Sequence, residues 1–155
     1  GYLADISKWW SENISKDWLD IRSQTYGILQ REDTLKEIVQ LLGPEALPDE
    51  EKLILEVARM VKIGILQQNS FDDVDTYCSP EKQFKLMKLQ VDFYNKGQQA
   101  LKDGASLADI RSMDVISLLL KARMDVKDDE MDKLDKIGND MEEQFKSVTG
   151  VKVQN

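Results

Sequence analysis

The stretch that decides the fold is residues 79–104, SPEKQFKLMKLQVDFYNKGQQALKDG. Ser79 followed by Pro80 is a typical helix start, because serine caps the free amides of a first turn and proline is tolerated at the first position. Gly104 is a typical helix end. Apolar residues between them fall on two helix faces, so we predict a helix from Pro80 to Asp103 that is covered on both sides. One face holds Phe84, Met87, Val91, Tyr94 and Leu101, and the other holds Leu86, Leu89 and Phe93.

The same helical spacing of apolar residues continues on either side of this stretch. We find no strand pattern and no internal repeat. We therefore predict an all-α fold, a multi-helix bundle of about six to seven helices with short loops. In the predicted helix that ends at Leu42, the residues Leu35, Ile38, Val39 and Leu42 should face inward. The other predicted helices are 3–13, 15–29, 33–42, 49–67, one that begins at Ser106 and passes Leu120, and 128–148.

The length of 155 residues suits a single helical domain. We expect residues 2–103 to form a core bundle, 104–149 to add C-terminal helices, and 150–155 to be a frayed tail. Hydrophobic residues make up 41%, enough for a core, and charged residues make up 32%, as exposed helix faces require. Because the first residue is Gly1 rather than methionine, we expect a fragment of a larger subunit.

Charge and composition exclude several classes of function. The net charge is -8, with Lys+Arg 21 against Asp+Glu 29, so we expect no nucleic-acid partner and no binding to an anionic membrane surface. No apolar run is long enough for insertion into a membrane. The single cysteine, Cys78, cannot form an intramolecular disulfide, and the absence of histidine removes the commonest general base and metal ligand.

Motifs that carry a complete active site are also missing. The sequence contains no phosphate-binding P-loop, no GxGxxG run and no HExxH motif. Two acidic clusters, 72–75 and 125–129, lack the glycine and closing glutamate of a calcium loop. We interpret them as surface charge or helix caps, and we expect no catalytic residue and no metal site.

Three aromatic or acidic features need interpretation. Trp9 and Trp10 are adjacent and cannot share a helix face, so one ring should pack in the core and the other should cover a neighbour. Phe71 and Tyr77 lie in a polar loop, where they either plug the loop onto the core or seat a flat apolar ligand; the residues alone favour the plug. The acids that follow Pro48 suit a helix start.

Several of these runs resemble a known family. Leu66 to Gln83 reads LQQNSFDDVDTYCSPEKQ, and it resembles the catalytic A subunit of archaeal and vacuolar-type rotary ATPases. The runs Trp9-Trp10, Leu29–Gly43 and Leu55–Met60 resemble the same protein. The resemblance covers most of residues 2–103 and implies the helical domain that ends this protein, after a barrel and a P-loop nucleotide domain.

The resemblance also implies a function for the whole parent protein. The parent would couple ATP synthesis or hydrolysis to the transport of protons or sodium ions through a rotating central stalk. It would sit in the cytoplasmic head, peripheral to the membrane, in a hetero-hexameric ring with non-catalytic B subunits. ATP or ADP with Mg would bind mainly to the P-loop domain. The fragment alone should therefore hold no cofactor and be inactive.

A more distant resemblance, to the catalytic beta subunit of F-type synthases, suggests two sites. Phe71 and Tyr77 match the spacing of two phenylalanines that contribute to an adenine pocket, which reverses the interpretation of Phe71 as a plug. Gln67, Gln68 and Asn69 would line the rim.

Residues 43–52, GPEALPDEEK, resemble the acidic helix-turn-helix tip that presses on the rotor. Ala46 replaces an acid and Pro48 replaces a serine, so the resemblance favours a steric lever over a charge-specific contact. The helix 49–67 would link the tip to the nucleotide. By this resemblance, the central-stalk rotor subunit would be contacted by Glu45, Leu47, Asp49, Glu50 and Glu51.

A second hypothesis is a free-standing helical interaction module that binds a partner helix and has no nucleotide role. The methionines and apolar positions of the last two predicted helices allow it. ATP binding by the chain alone, and the residues upstream of Gly1, distinguish the two hypotheses.

Overall fold

A computed structural model describes residues 8, 12–13, 16–66 and 78–153, with side chains as far as residue 149. Within these ranges there is no strand, so the all-α prediction is confirmed. When adjoining helical segments are joined, these ranges contain five helices, slightly fewer than the six to seven predicted. The individual α-helices are α1 (Trp18–Leu42), α2 (Asp49–Val61), α3 (Pro80–Lys102), α4 (Leu107–Arg111), α5 (Val115–Asp125) and α6 (Asp132–Val153). A 3₁₀ turn occupies Pro44–Ala46, and a π turn, Lys62–Leu66, extends α2.

The central helix is α3, and its predicted ends are confirmed. The Ser79 hydroxyl accepts a hydrogen bond from the Lys82 amide at 3.2 Å, and Gly104 has a φ of +98°. Both predicted faces are largely buried, with Tyr94 and Leu101 half-buried, and Phe93 is fully enclosed. Contacts from α1, α2, α5 and α6 surround the helix, which explains why it needs two apolar faces.

Two predicted helix boundaries are wrong. The helices predicted for 15–29 and 33–42 form one uninterrupted helix, α1, because residues 30–34 contain no glycine or proline. In contrast, the single helix predicted after Ser106 is broken between α4 and α5. There the Ser112 hydroxyl donates to the Asp109 carbonyl at 2.9 Å, a local bond that competes with helix continuation.

The last helix begins four residues later than predicted. The Glu130 carboxylate accepts a hydrogen bond from the Lys127 amide at 3.1 Å, and the Glu130 amide donates to the Lys127 carbonyl at 2.9 Å. This turn replaces the first turn of the predicted 128–148 helix. At the other end α6 continues through residue 150 to Val153.

One apolar core joins all six helices. The rings of Phe93 on α3 and Phe145 on α6 meet edge to face, with centroids 5.3 Å apart. The ring centroids of Trp18 on α1 and Phe84 on α3 lie 6.4 Å apart. The 104–149 segment therefore packs on the same core as the segment before it. No helix in the described part of the chain is both long and apolar enough to cross a membrane.

Candidate functional site: the two ends of α2

The acidic turn, residues 43–52, reverses the chain between α1 and α2. Gly43 ends α1 with a φ of +86°, and its amide donates to the Val39 carbonyl at 2.8 Å. The 3₁₀ turn follows, and Pro48 then takes an extended conformation before α2. The Pro48 carbonyl accepts from the amides of Glu51 and Lys52, each at 3.0 Å. Local hydrogen bonds thus give the turn one defined shape.

Burial divides the residues of the acidic turn into two groups. Leu47 is only 4% exposed, although the resemblance placed it among the rotor-facing residues. In this conformation its side chain lies beneath the turn and offers no surface to a partner. The Glu45 side chain is 91% exposed, and Asp49 and Glu50 are also exposed. The exposed surface of the turn therefore carries three carboxylates beside the small apolar residues Pro44, Ala46 and Pro48.

The carboxylates of the acidic turn also differ in pairing. Glu51 lies 3.1 Å from the Arg31 guanidinium, and Glu45 lies 3.2 Å from the Lys52 ammonium. Within the described residues, Asp49 and Glu50 have no ion-pair partner. Both lie in the first turn of α2, where the positive end of the helix dipole stabilises them.

Leu41 and Leu42, beside the acidic turn, are exposed at 83% and 73%. The prediction that Leu42 faces inward is therefore wrong. The buried positions of α1 continue in spacing to 39 and 42, so Leu42 does lie on the correct face. In the described ranges no neighbour covers Leu42, and spacing alone carries no information about where the covering neighbour ends.

The other end of α2, together with the π turn that extends it, is anchored from three helices. The Gln90 amide of α3 donates to the Met60 carbonyl at 3.4 Å, and the Arg123 guanidinium of α5 donates to the Ile65 carbonyl at 2.5 Å. At Gly64 a Cβ atom would lie 2.9 Å from the Leu119 carbonyl oxygen. Close backbone approach therefore requires glycine there.

The anchor from α1 is a buried carboxylate, Glu32, whose side chain is 7% exposed. It lies 2.9 Å from the Lys62 ammonium and 3.7 Å from the Lys36 ammonium. The hydrogen bond that the Lys62 ammonium donates to Glu32 raises the pKa of Lys62 above its ordinary value. Pairing offsets the desolvation of the carboxylate and ties α1 to the π turn.

The predicted adenine-edge residues, Phe71, Tyr77, Gln67, Gln68 and Asn69, lie outside the described residues, as do Trp9 and Trp10. The structure describes the two flanks of that segment, which end at Leu66 and begin again at Cys78. Burial raises the pKa of the Cys78 thiol. In the described ranges, no group of three or more Cys, Asp or Glu side chains could hold a metal ion.

Comparison with known proteins identifies the family. The family model for the C-terminal domain of V and A type ATP synthase matches residues 7–111, more than half of the chain. The chain belongs to this family. The resemblance found in the sequence is thereby confirmed.

Relatives of this V/A-type C-terminal domain include two archaeal proteins whose names identify them as the A subunit of an A-type ATP synthase. That of Methanopyrus kandleri is 43% identical over 147 residues, 95% of this chain and 25% of the relative. That of Hyperthermus butylicus is 44% identical over 142 residues, 90% of this chain and 24% of the relative. The V-type ATP synthase alpha chain of Halothermothrix orenii is 38% identical over 144 residues, 93% of this chain and 24% of the relative. The chain spans about a quarter of the length of these relatives.

The alignments also extend the sequence-based resemblance. It covered residues 2–103, whereas the match to the M. kandleri relative covers 95% of the chain. The helices after Gly104 are therefore part of what the chain shares with these relatives. Helix spacing could not show this, because apolar periodicity in α5 and α6 is common to many helical proteins.

Proposed function

We propose that this V/A-type C-terminal domain is the terminal helical domain of a catalytic A subunit. The parent would couple ATP synthesis or hydrolysis to the transport of protons or sodium ions. The family match and the names of the relatives support this. ATP or ADP with Mg would be held mainly by another domain, so the chain alone would lack activity.

In this proposal the acidic turn is a lever that contacts the central-stalk rotor subunit. The observation that carries it is the defined, hydrogen-bonded shape of the turn, which leaves Asp49 and Glu50 exposed. Glu45 and Glu51 are partly neutralised by their ion pairs, so Asp49 and Glu50 would offer the strongest charge to a basic rotor surface. Leu47 would act from beneath, by keeping the turn rigid.

The second part of the proposal is that α2 transmits force from the turn towards the nucleotide. Its 13 residues extend about 20 Å. Leu53, Val57 and Met60 are fully buried along its length. Because packed interiors are close to incompressible, a push on the turn moves the helix as a unit.

The third part concerns the segment that follows the π turn. There Phe71 would pack on or near the adenine, with Tyr77, Gln68 and Asn69 beside it. An aromatic seat suits a flat base, and nearby amides would orient it. The remaining partners would be B subunits of the ring, in a cytoplasmic head peripheral to the membrane.

The lever is tested in the assembled ATPase with two variants. Deletion within 44–51 should lower torque or coupling strongly, whereas Asp49→Asn with Glu50→Gln should lower coupling less, because the shape of the turn remains. The matched control is Asp128→Asn with Asp129→Asn, the same charge change at exposed positions away from the turn. Unchanged coupling in the deletion variant would refute the lever.

The nucleotide role has its own tests. Isothermal titration of the chain alone with MgATP should show very weak or no binding, because the phosphate contacts are in another domain. Submicromolar binding with hydrolysis would contradict this assignment. In the assembled enzyme, Phe71→Ala should raise KM for ATP, and an unchanged KM would contradict the adenine-edge role.

A further inference from the structure

Three elements that are distant in sequence meet where residues 67–77 leave and rejoin the described fold. Leu66 ends the π turn, and Pro80 begins α3. Arg123, near the end of α5, contacts both sides. Its guanidinium donates to the Ile65 carbonyl at 2.5 Å, and its own carbonyl accepts from the Lys82 ammonium at 2.7 Å. Separations of 58 and 41 residues make these contacts tertiary rather than local.

The chemistry of both bonds favours their formation. Ile65 and Arg123 each lie in the last turn of a helical segment, where carbonyls lack intrahelical partners. A cation at such an end is stabilised by the helix dipole. Lys82 is only 4% exposed, and a buried ammonium is costly unless it is hydrogen-bonded. The Arg123 carbonyl provides that hydrogen bond.

We propose that Arg123 and Lys82 form a clasp that fixes the end of the π turn relative to the start of α3. The clasp thereby sets the positions from which residues 67–77 leave and rejoin the fold. Arg123 lies outside the matched residues 7–111, so the proposal assigns a positioning role to α5. Its consequence for nucleotide binding rests on the proposed function.

Cys78 provides a reporter for the clasp that does not depend on nucleotide. It is the single cysteine of the chain, and it lies one residue before the cap of α3. The positive charges of Lys82 and Arg123 counteract the burial that raises the pKa of its thiol. Loss of a charge alone would slow thiolate chemistry, whereas opening of the clasp would expose the thiol and accelerate it.

The first experiment measures alkylation of Cys78 by iodoacetamide in the isolated chain at pH 8. Arg123→Ala and Lys82→Met should each accelerate the reaction about tenfold through local opening. The control is Arg59→Ala, which removes an exposed arginine that pairs with Glu56 on α2 and should leave the rate unchanged. An unchanged or slower reaction in both clasp variants would overturn the clasp. If Arg123→Ala does not fold, the comparison uses Arg123→Gln, which keeps a donor but loses the charge and reach.

The second experiment measures ATP hydrolysis by the assembled ATPase. Arg123→Ala should raise KM for ATP about tenfold while kcat changes little, because a displaced segment weakens binding rather than the chemical step. Arg123→Lys should restore part of the affinity. Accelerated alkylation with an unchanged KM would overturn the positioning role. If Phe71→Ala also left KM unchanged, the proposed adenine-edge role of residues 67–77 would be refuted, rather than the clasp.

Discussion

The two ends of α2 are built in different ways. The acidic turn is exposed and is held by one buried leucine and two ion pairs at the surface. The other end is held by a hydrogen bond from α3 to Met60 of α2, by one from α5 to Ile65 of the π turn, and by a buried carboxylate of α1 that pairs with Lys62. One end is exposed, and the other is anchored to three helices.

Packing beneath the acidic turn shows the same contrast. Leu35 and Leu47 are both buried, yet neither belongs to the main core cluster. The residues around the π turn, including Met60 and Ile65, do belong to it. The acidic turn therefore depends on a few apolar atoms, so single substitutions there should separate its shape from its charge.

The largest effect on stability is expected from Leu47→Ala. Removal of a buried leucine side chain should lower the free energy of unfolding by about 2–5 kcal/mol. Urea denaturation followed by circular dichroism measures it. The control is Leu41→Ala, at a position 83% exposed, which should change stability little. Equal effects at the two positions would show that the turn does not rest on Leu47.

The next effect is expected at the π turn. Gly64→Ala places a methyl group 2.9 Å from a backbone oxygen of α5, so it should destabilise by about 1–3 kcal/mol. Gly27→Ala in α1 meets nothing within 4 Å and should stabilise by about 0.5–1 kcal/mol through helix propensity. Thermal unfolding of both variants provides the measurement, and shifts of the same sign would contradict the close approach at Gly64.

A smaller effect is expected from Glu32→Gln. It should cost about 1 kcal/mol, since Lys62 is 39% exposed and solvent screens part of the ion pair. The pKa of Lys62 is raised in the folded chain, so this stabilisation is fully present below the unfolded value of about 10.4. It is lost as pH rises through the folded pKa. On the alkaline side of neutral pH, the difference between wild type and variant should therefore shrink only as pH rises through the raised pKa of Lys62, and a difference that already shrinks between pH 7 and pH 9 would contradict the assignment.

At high ionic strength the smallest effect is expected from Asp49→Asn with Glu50→Gln. These acids stabilise the start of α2 by about 0.3–1 kcal/mol each at low ionic strength, and salt screens that contribution. Urea denaturation at low and at high salt should show the difference disappear in high salt. Because Leu47 remains, the shape of the turn should persist. A loss of several kcal/mol in the free energy of unfolding would show instead that the shape of the turn depends on the two charges.

The sequence was most informative where local chemistry decides the structure. Ser79, Pro80 and Gly104 marked the ends of α3, and Gly43 and Pro48 marked the acidic turn, because caps and turns depend on neighbouring residues. It was least informative about where a helix continues and where it is interrupted. The polar run 30–34 stayed helical, whereas Ser112 broke a helix that apolar spacing had predicted to continue.

The candidate site divides in the same way. Glu45, Asp49 and Glu50 are exposed, which the acidic run suggested, but Leu47 is buried and Leu42 is exposed. No spacing rule distinguishes these leucines, because their exposure depends on where a neighbouring element ends. Phe71, Tyr77, Gln68 and Asn69 remain predictions.

By itself, then, the sequence determined the all-α class, the principal caps and the family, since each depends on residue type and order along the chain. Only the tertiary structure showed that Arg123 reaches Ile65, that Lys82 reaches Arg123, and that Glu32 pairs with Lys62. These contacts join residues 30 to 58 positions apart. Their partners are backbone carbonyls or side chains on other helices, and only packing brings those groups within hydrogen-bond distance.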